Sequence, residues 1–149
     1  MKIEEVILEN IKKQKTNYAV KLIERNFSID DPKYFYYKAL CFYSKKNFKD
    51  ALAYLNLALE KDLNNYLVYY NLGVVNIDLK RENLAIEYFR KSLKYNNAYE
   101  KSYINLAYIY YNNGDKRSAL RIIKEGLTHT SSKELFDIEK KLLTKILAS

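Results

Sequence analysis

Residues 66–95 read YLVYYNLGVVNIDLKRENLAIEYFRKSLKY, and this stretch decides the fold. Tyr69, Leu72, Gly73 and Asn76 recur at three- and four-residue steps; the pattern breaks at Lys80–Arg81 and resumes at Ala85, Phe89, Ser92 and Leu93. That spacing predicts two helices, Tyr66–Leu79 and Glu82–Tyr95, joined by a tight turn. Shifted by 34 residues in either direction, the stretch lands on copies of itself. Ala39, Gly73 and Ala107 fall in one column, Ala51, Ala85 and Ala119 in a second, and Ala58, Ser92 and Gly126 in a third. Phe35, Tyr69 and Tyr103 share an aromatic column, expected in the core. A fixed period of this size marks a stacked array, whose units bury their apolar faces only against one another.

The small columns have a mechanical reason. Two helices approach closely only where side chains are short, so Gly73 and Ala85 let the helices of one unit nest, and Ser92 admits the first helix of the next. Turns are expected at Lys45–Asn47, Lys80–Arg81 and Asn112–Asp115 inside units, and at Asn64–Asn65, Asn96–Asn97 and Thr130–Ser132 between them. Asp31 before Pro32 reads as an N-cap with proline at the first helical position. Ser131 to Glu134 has capping-box spacing, and Gly114 suits a helix C-terminus.

The pattern weakens toward both ends. Residues 1–31 read as two amphipathic helices, about Ile3–Lys13 and Thr16–Arg25, with Ala19 in a small column but bulky Ile7 where a small residue is expected. This is a degenerate first pair. Leu135, Phe136, Ile138, Leu142, Leu143 and Ile146, with charges between them, predict a terminal helix over Lys133–Leu147 that covers the last unit. The expected organisation is one domain over 1–149: the degenerate pair 1–31, repeats 32–65, 66–99 and 100–133, and a capping helix 134–149. The Met1 start and the covered end lead us to expect a complete small protein.

These residues resemble the tetratricopeptide repeat, whose pattern runs aromatic-x2-Leu-Gly-x2-Tyr, then Ala-x3-Phe, then Pro. The middle copy has Tyr69, Leu72, Gly73 and Asn76, then Ala85 and Phe89; the third has Tyr103, Leu106, Ala107 and Tyr110, then Ala119 and Ile123. The first has Phe35, Lys38, Ala39 and Phe42, then Ala51 and Leu55. Tyr or Phe replaces the usual Trp, and Leu63, Asn97 and Ser131 stand where the closing Pro belongs, leaving the turns between units less rigidly fixed. The resemblance covers Pro32 to Lys133. It implies an all-α, right-handed α-solenoid of antiparallel helix pairs, with first helices on a concave groove and second helices on a convex face.

Composition excludes several alternatives. Gly (3) and Pro (1) are too few for the turns of an all-β fold, and one Cys forms no internal disulfide. With one His and one Cys, zinc and triad motifs are absent, so we expect no enzyme, no catalytic residue, no metal and no cofactor. Cys41 reads as a small core residue, and His129 as a neighbour of a helix C-terminus. No apolar run reaches membrane length and the N-terminus has no leader pattern, so a cytoplasmic location is expected. Lys (21), Asn (15), Tyr (16) and Ile (13) all have A/T-rich codons, so part of the Tyr excess and of the +8 net charge reflects a low-GC genome. The charge lies wholly in the repeats, which carry +3, +2 and +3, at Lys45, Lys46, Lys49, Lys80, Arg81, Arg90, Lys91, Lys116, Arg117, Arg121 and Lys124 among others. Without a nucleic-acid motif this reads as a solvated convex face, and nucleic acid is not the expected partner.

Fifteen of the sixteen tyrosines lie between residues 34 and 111. By column, the resemblance puts Tyr36, Tyr37, Leu40, Tyr43, Tyr70, Asn71, Val74, Ile77, Lys101, Ile104, Asn105, Tyr108, Tyr111 and Asn112 on the groove, with Tyr37 and Tyr70 also open to a core role. Tyrosine gives contact area and a hydroxyl at low entropic cost, and Asn71 and Asn105 are placed to hydrogen-bond a ligand backbone. The carboxylate clamp of the family's co-chaperones is only partly matched. Asn71 and Lys101 fit it, whereas Tyr36, Leu40 and Asn105 replace its remaining Lys, Asn and Arg. The expected function is a non-enzymatic scaffold binding a protein or peptide segment in the groove. The alternatives are a homo-oligomerising module, through the groove or the end helices, and a basic surface that binds nucleic acid or membrane.

Overall fold

A computed structural model describes residues 1–149, and they form nine helices and no strand. The deciding stretch folds as expected into α5 (Tyr66–Asp78) and α6 (Glu82–Tyr95), preceded by α1 (Ile3–Lys12), α2 (Thr16–Asn26), α3 (Pro32–Ser44) and α4 (Phe48–Lys61). It is followed by α7 (Glu100–Asn112), α8 (Lys116–Leu127) and α9 (Lys133–Leu147). Each helix packs on its neighbours in sequence, and α1 also touches α3, which is the pattern of a solenoid.

One turn is used four times. Gln14, Lys46, Lys80 and Gly114 take φ of 60°, 58°, 60° and 81°. The next residue's N–H reaches back to the helix in each case: Lys15 to Asn10 O, Asn47 to Phe42 O, Arg81 to Asn76 O and Asp115 to Tyr110 O, at 2.8–2.9 Å. This left-handed closure satisfies carbonyls that a helix end leaves open. Its presence after α1 makes the N-terminal pair a unit of the same construction. Ile7, bulky in a small column, is fully buried against Ile23 and Ala19.

Gly73 shows what the small column does. A Cβ added there would meet the Phe89 ring at 2.6–2.9 Å, so the close approach of α5 to α6 requires glycine. Ala39 and Ala107 take the same place where the facing residues are the smaller Leu55 and Ile123. Between units, Ser92 Oγ accepts from Ser102 Oγ at 3.0 Å with both side chains buried.

The missing proline is made up by other means. Tyr69 Oη donates to Leu63 O at 2.9 Å, and Tyr103 Oη to Asn97 O at 2.8 Å. Two turns expected to be loose are therefore tied to the helix that follows. Phe35, in the same column, has no hydroxyl to give.

Helix starts follow local chemistry. Asp31 accepts from Lys33 N at 2.8 Å with Pro32 in the first turn, as expected. At α9 the expected capping box does not form. Ser132, not Ser131, is the N-cap and accepts from Leu135 N at 3.3 Å, a start that turns Leu135 and Leu142 inward. The apolar residues of α9 consequently divide: Phe136 and Leu143 lie on the far side, exposed and separated by Lys140, instead of covering the last unit.

Asn76 occupies the column of Phe42 and Tyr110. Its amide donates to Leu72 O at 2.8 Å, but its buried Oδ1 has no partner. A buried acceptor without a donor carries a desolvation penalty of about 1–3 kcal/mol. Asn76→Leu is expected to raise the unfolding free energy by about 1 kcal/mol, read from urea denaturation. A loss of stability would show that the amide is satisfied.

Candidate partner-binding face

The odd-numbered helices lie side by side and present one face. Rungs 35 residues apart join them: Asn71 Nδ2 donates to Tyr36 Oη at 3.2 Å, Asn105 Nδ2 to Tyr70 Oη at 3.3 Å, and Tyr43 Oη to Asp78 Oδ2 at 2.6 Å. Asn71 and Asn105 also donate to the carbonyls of Leu67 and Lys101, so their amide protons are spent on the array. A ligand backbone could still meet their amide oxygens, which take no part in these rungs.

The tyrosines divide. Tyr37 is 7% exposed, stacks on Phe27 at 5.7 Å and belongs to the core of α1–α3 with Ile7, Ile11 and Cys41. Its placement in the groove is therefore corrected: it points back between helices. Tyr36 and Tyr70 are half-buried; Tyr36 packs edge-on against Tyr37, and Tyr70 against Tyr99 and Phe89. Burial pushes the Tyr36 hydroxyl up to about 12, and raises Tyr70 as well. Tyr43 is raised by burial and by the Asp78 carboxylate it binds, and Tyr99 by burial and its tyrosine neighbours. Phe35, Tyr69 and Tyr103 are buried, as expected of their column. Tyr108, in contrast, is 57% exposed.

Two clefts open on this face. An open cleft of about 840 Å³ lies against α1, α3 and α5, lined by Ile11, Lys12, Gln14, Leu40, Tyr43, Ser44, Lys46, Phe48, Asn71 and Asp78. A narrower slot of about 280 Å³ lies between α7 and α9, lined by Ile104, Ala107, Tyr108, Tyr111, Ile138, Lys141, Leu142 and Lys145. Ile77 and Asn112 share a smaller hollow of about 250 Å³ with Tyr108, while Val74 packs on the α6–α9 core and Lys101 is exposed on α7. Leu40, Tyr43 and Asn71 in the first cleft, and Ile104, Tyr108 and Tyr111 in the second, are the expected groove residues that line them.

The lining contributed by the end helices was not anticipated. Ile11 and Lys12 come from α1 and Gln14 from the turn after it, and Ile138, Lys141, Leu142 and Lys145 come from α9. Comparison at a strict 34-residue shift hides them, because α9 begins 33 residues after α7 and the Gln14 turn precedes the Lys46 turn by 32. Matching turn to turn would have found the continuation.

The other expected features fall as follows. Cys41 is 4% exposed and burial pushes its thiol up to about 11, which suits a core residue and not a nucleophile. Among the bases read as convex, Arg90 makes a two-pronged bond to Glu125 at 2.8 and 3.0 Å, Lys91 pairs with Glu87, and Lys46 turns out to line the first cleft. No group of three or more acidic, His or Cys side chains is placed to hold a metal ion. No helix is long and apolar enough to cross a membrane.

The fold and this face define an α-solenoid of helix pairs. Residues 66–99 and 100–128 match the family model of the tetratricopeptide repeat, and these two units are tetratricopeptide repeats. Solved structures agree on the fold. A crystal structure of MamA is similar at 16% identity and a TM-score of 0.70, over 93% of this chain and 79% of that one. The first tetratricopeptide repeat domain of Spaghetti (RPAP3), bound to the HSP90 peptide SRMEEVD, is similar at 15% identity and a TM-score of 0.67, over 83% of this chain and all of that one. No curated protein matches the sequence.

Proposed function

We propose that the chain is a non-enzymatic interaction scaffold, acting in the cytoplasm as one unit over 1–149, that holds a segment of a partner protein along the face of its odd-numbered helices. The observation that carries this reading is the pair of clefts on that face, with Tyr108 standing exposed at the second. Exposed aromatics on a concave surface are the usual anchors of a protein interface. The Spaghetti domain, similar in fold, holds a peptide, which supports a peptide-sized occupant here. Its mode of capture need not be a carboxylate clamp: Asn71 spends its amide protons on Tyr36 and Leu67, and Tyr36, Leu40 and Asn105 replace three of the clamp's side chains.

The test places one change in each cleft without touching the core. Tyr108→Ala removes the exposed aromatic, and Ser44→Arg fills the first cleft. The double variant is expected to keep its helical circular dichroism and to capture partner from native lysate about tenfold less well, the effect of losing one strong anchor. Undiminished capture would refute the groove. Tyr70→Ala is a poor choice for this purpose, since Tyr70 packs on Phe89 and receives the Asn105 bond, so its loss would test the fold.

A further inference from the structure

We infer that the slot between α7 and α9 is the anchoring subsite of this face, and that it takes a bulky apolar side chain from a partner segment whose adjacent residues are acidic. The inference rests on the groove reading above and names what the groove recognises.

The slot differs from the larger cleft in its chemistry. Its walls are Ile104, Tyr108 and Tyr111 on one side and Ile138 on the other, and the only charged residues lining it are Lys141 and Lys145. The larger cleft has Asp78 beside Lys12 and Lys46, so its charge is mixed. About 280 Å³ is room enough for a leucine or phenylalanine side chain. A single such residue, inserted between the two helices, would cover the exposed ring of Tyr108.

The lysines supply the second half of the specificity. They stand one turn apart on α9, on the side of the helix that faces the slot. Neither takes part in any of the chain's ion pairs. Lys145 Nζ lies 5.9 Å from the Tyr111 ring centroid, a cation–π contact that keeps the ammonium at the mouth of the slot. An apolar pit with two unpaired ammonium groups at its rim is complementary to an apolar residue flanked by carboxylates. Neither lysine occupies a clamp column; both belong to the terminal helix.

The probe is a short, end-blocked synthetic peptide with one central phenylalanine between glutamates. Analogues replace the phenylalanine by alanine, or the glutamates by glutamines or lysines. Each is titrated at low salt into the isotope-labelled full chain. Amide shifts are expected at Ala107, Tyr108 and the stretch 141–145, with Kd rising about tenfold for each analogue, a change equal to 1.4 kcal/mol. Lys141→Glu with Lys145→Glu, both exposed, should weaken the glutamate peptide about tenfold and strengthen the lysine peptide. Equal affinity for the glutamate and glutamine peptides, or indifference to the charge reversal, overturns the inference. Shifts confined to Tyr43, Ser44 and Asp78 overturn it while leaving the groove reading intact. No shift anywhere on the face overturns both.

Discussion

Gly73→Ala is expected to lower the unfolding free energy by up to about 2 kcal/mol, and Phe89→Leu in the same chain to return most of that loss. The new methyl would lie 2.6 Å from a ring carbon of Phe89, a side chain that is itself fully buried and has nowhere to swing. Overpacking of this kind costs about 1–3 kcal/mol. Alanine's better helix propensity returns about 1 kcal/mol of it. Leucine at 89 removes the obstacle, and the chain already contains the resulting pair, since Ala39 faces Leu55 in the preceding unit. Phe89→Leu alone leaves a cavity and should also destabilise, by about 1–2 kcal/mol. The two losses are thus non-additive, with a coupling of about 1 kcal/mol or more in a double-mutant cycle read by urea denaturation. Simple additivity would mean that α5 shifts to accommodate the methyl at little cost.

Alkali should unfold this protein sharply. The Tyr36 hydroxyl, 10.0 when free, is pushed up to about 12 by burial, and burial raises Tyr37, Tyr43, Tyr69, Tyr70, Tyr99 and Tyr103 as well. The folded state holds these protons more tightly than the unfolded chain, so their contribution is complete below pH 10 and is lost as pH rises above it. Each unit of pH in that window removes about 1.4 kcal/mol for every tyrosine still protonated only in the fold. Tyr36 alone accounts for about 2–3 kcal/mol between pH 10 and 12, a large part of the 5–15 kcal/mol that holds a domain together. Loss of helical circular dichroism and the rise of tyrosinate absorbance are therefore expected in one cooperative step above pH 10. Complete tyrosine ionisation with the helices still intact would contradict this account.

The sequence carried the repeat and most of the fold, because a small side chain at a close approach leaves a periodic mark. Gly73, Ala85 and Ser92 mark the packing of α5 and α6, and α6 begins and ends where periodicity puts it. The face of the odd-numbered helices was less legible. A helix periodicity says which residues share a stripe, but Tyr37 and Tyr36 are adjacent, and only the position of Phe27 turns one fully inward. The sequence places the asparagines at 71 and 105 in one column but does not reveal that the preceding unit supplies each amide with a tyrosine hydroxyl 35 residues away. The contributions of α1 and α9 were hidden for a simpler reason, since their spacings depart from 34 by two residues and by one.

The tyrosine hydroxyls that tie down Leu63 O and Asn97 O have a mechanical consequence. They fasten the two interior joints of the array, before α5 and before α7, while the joint before α3 begins with Phe35 and has no such bolt. The joint before α3 is tied by other means: ion pairs from Lys33 to Glu4 and from Lys38 to Glu24, and the Tyr37 ring stacked on Phe27. Repeats that touch only their neighbours transmit bending joint by joint. An occupant of the groove would then rest on a span fastened at each of these joints, by hydroxyl bolts inside the array and by ion pairs at its N-terminal end.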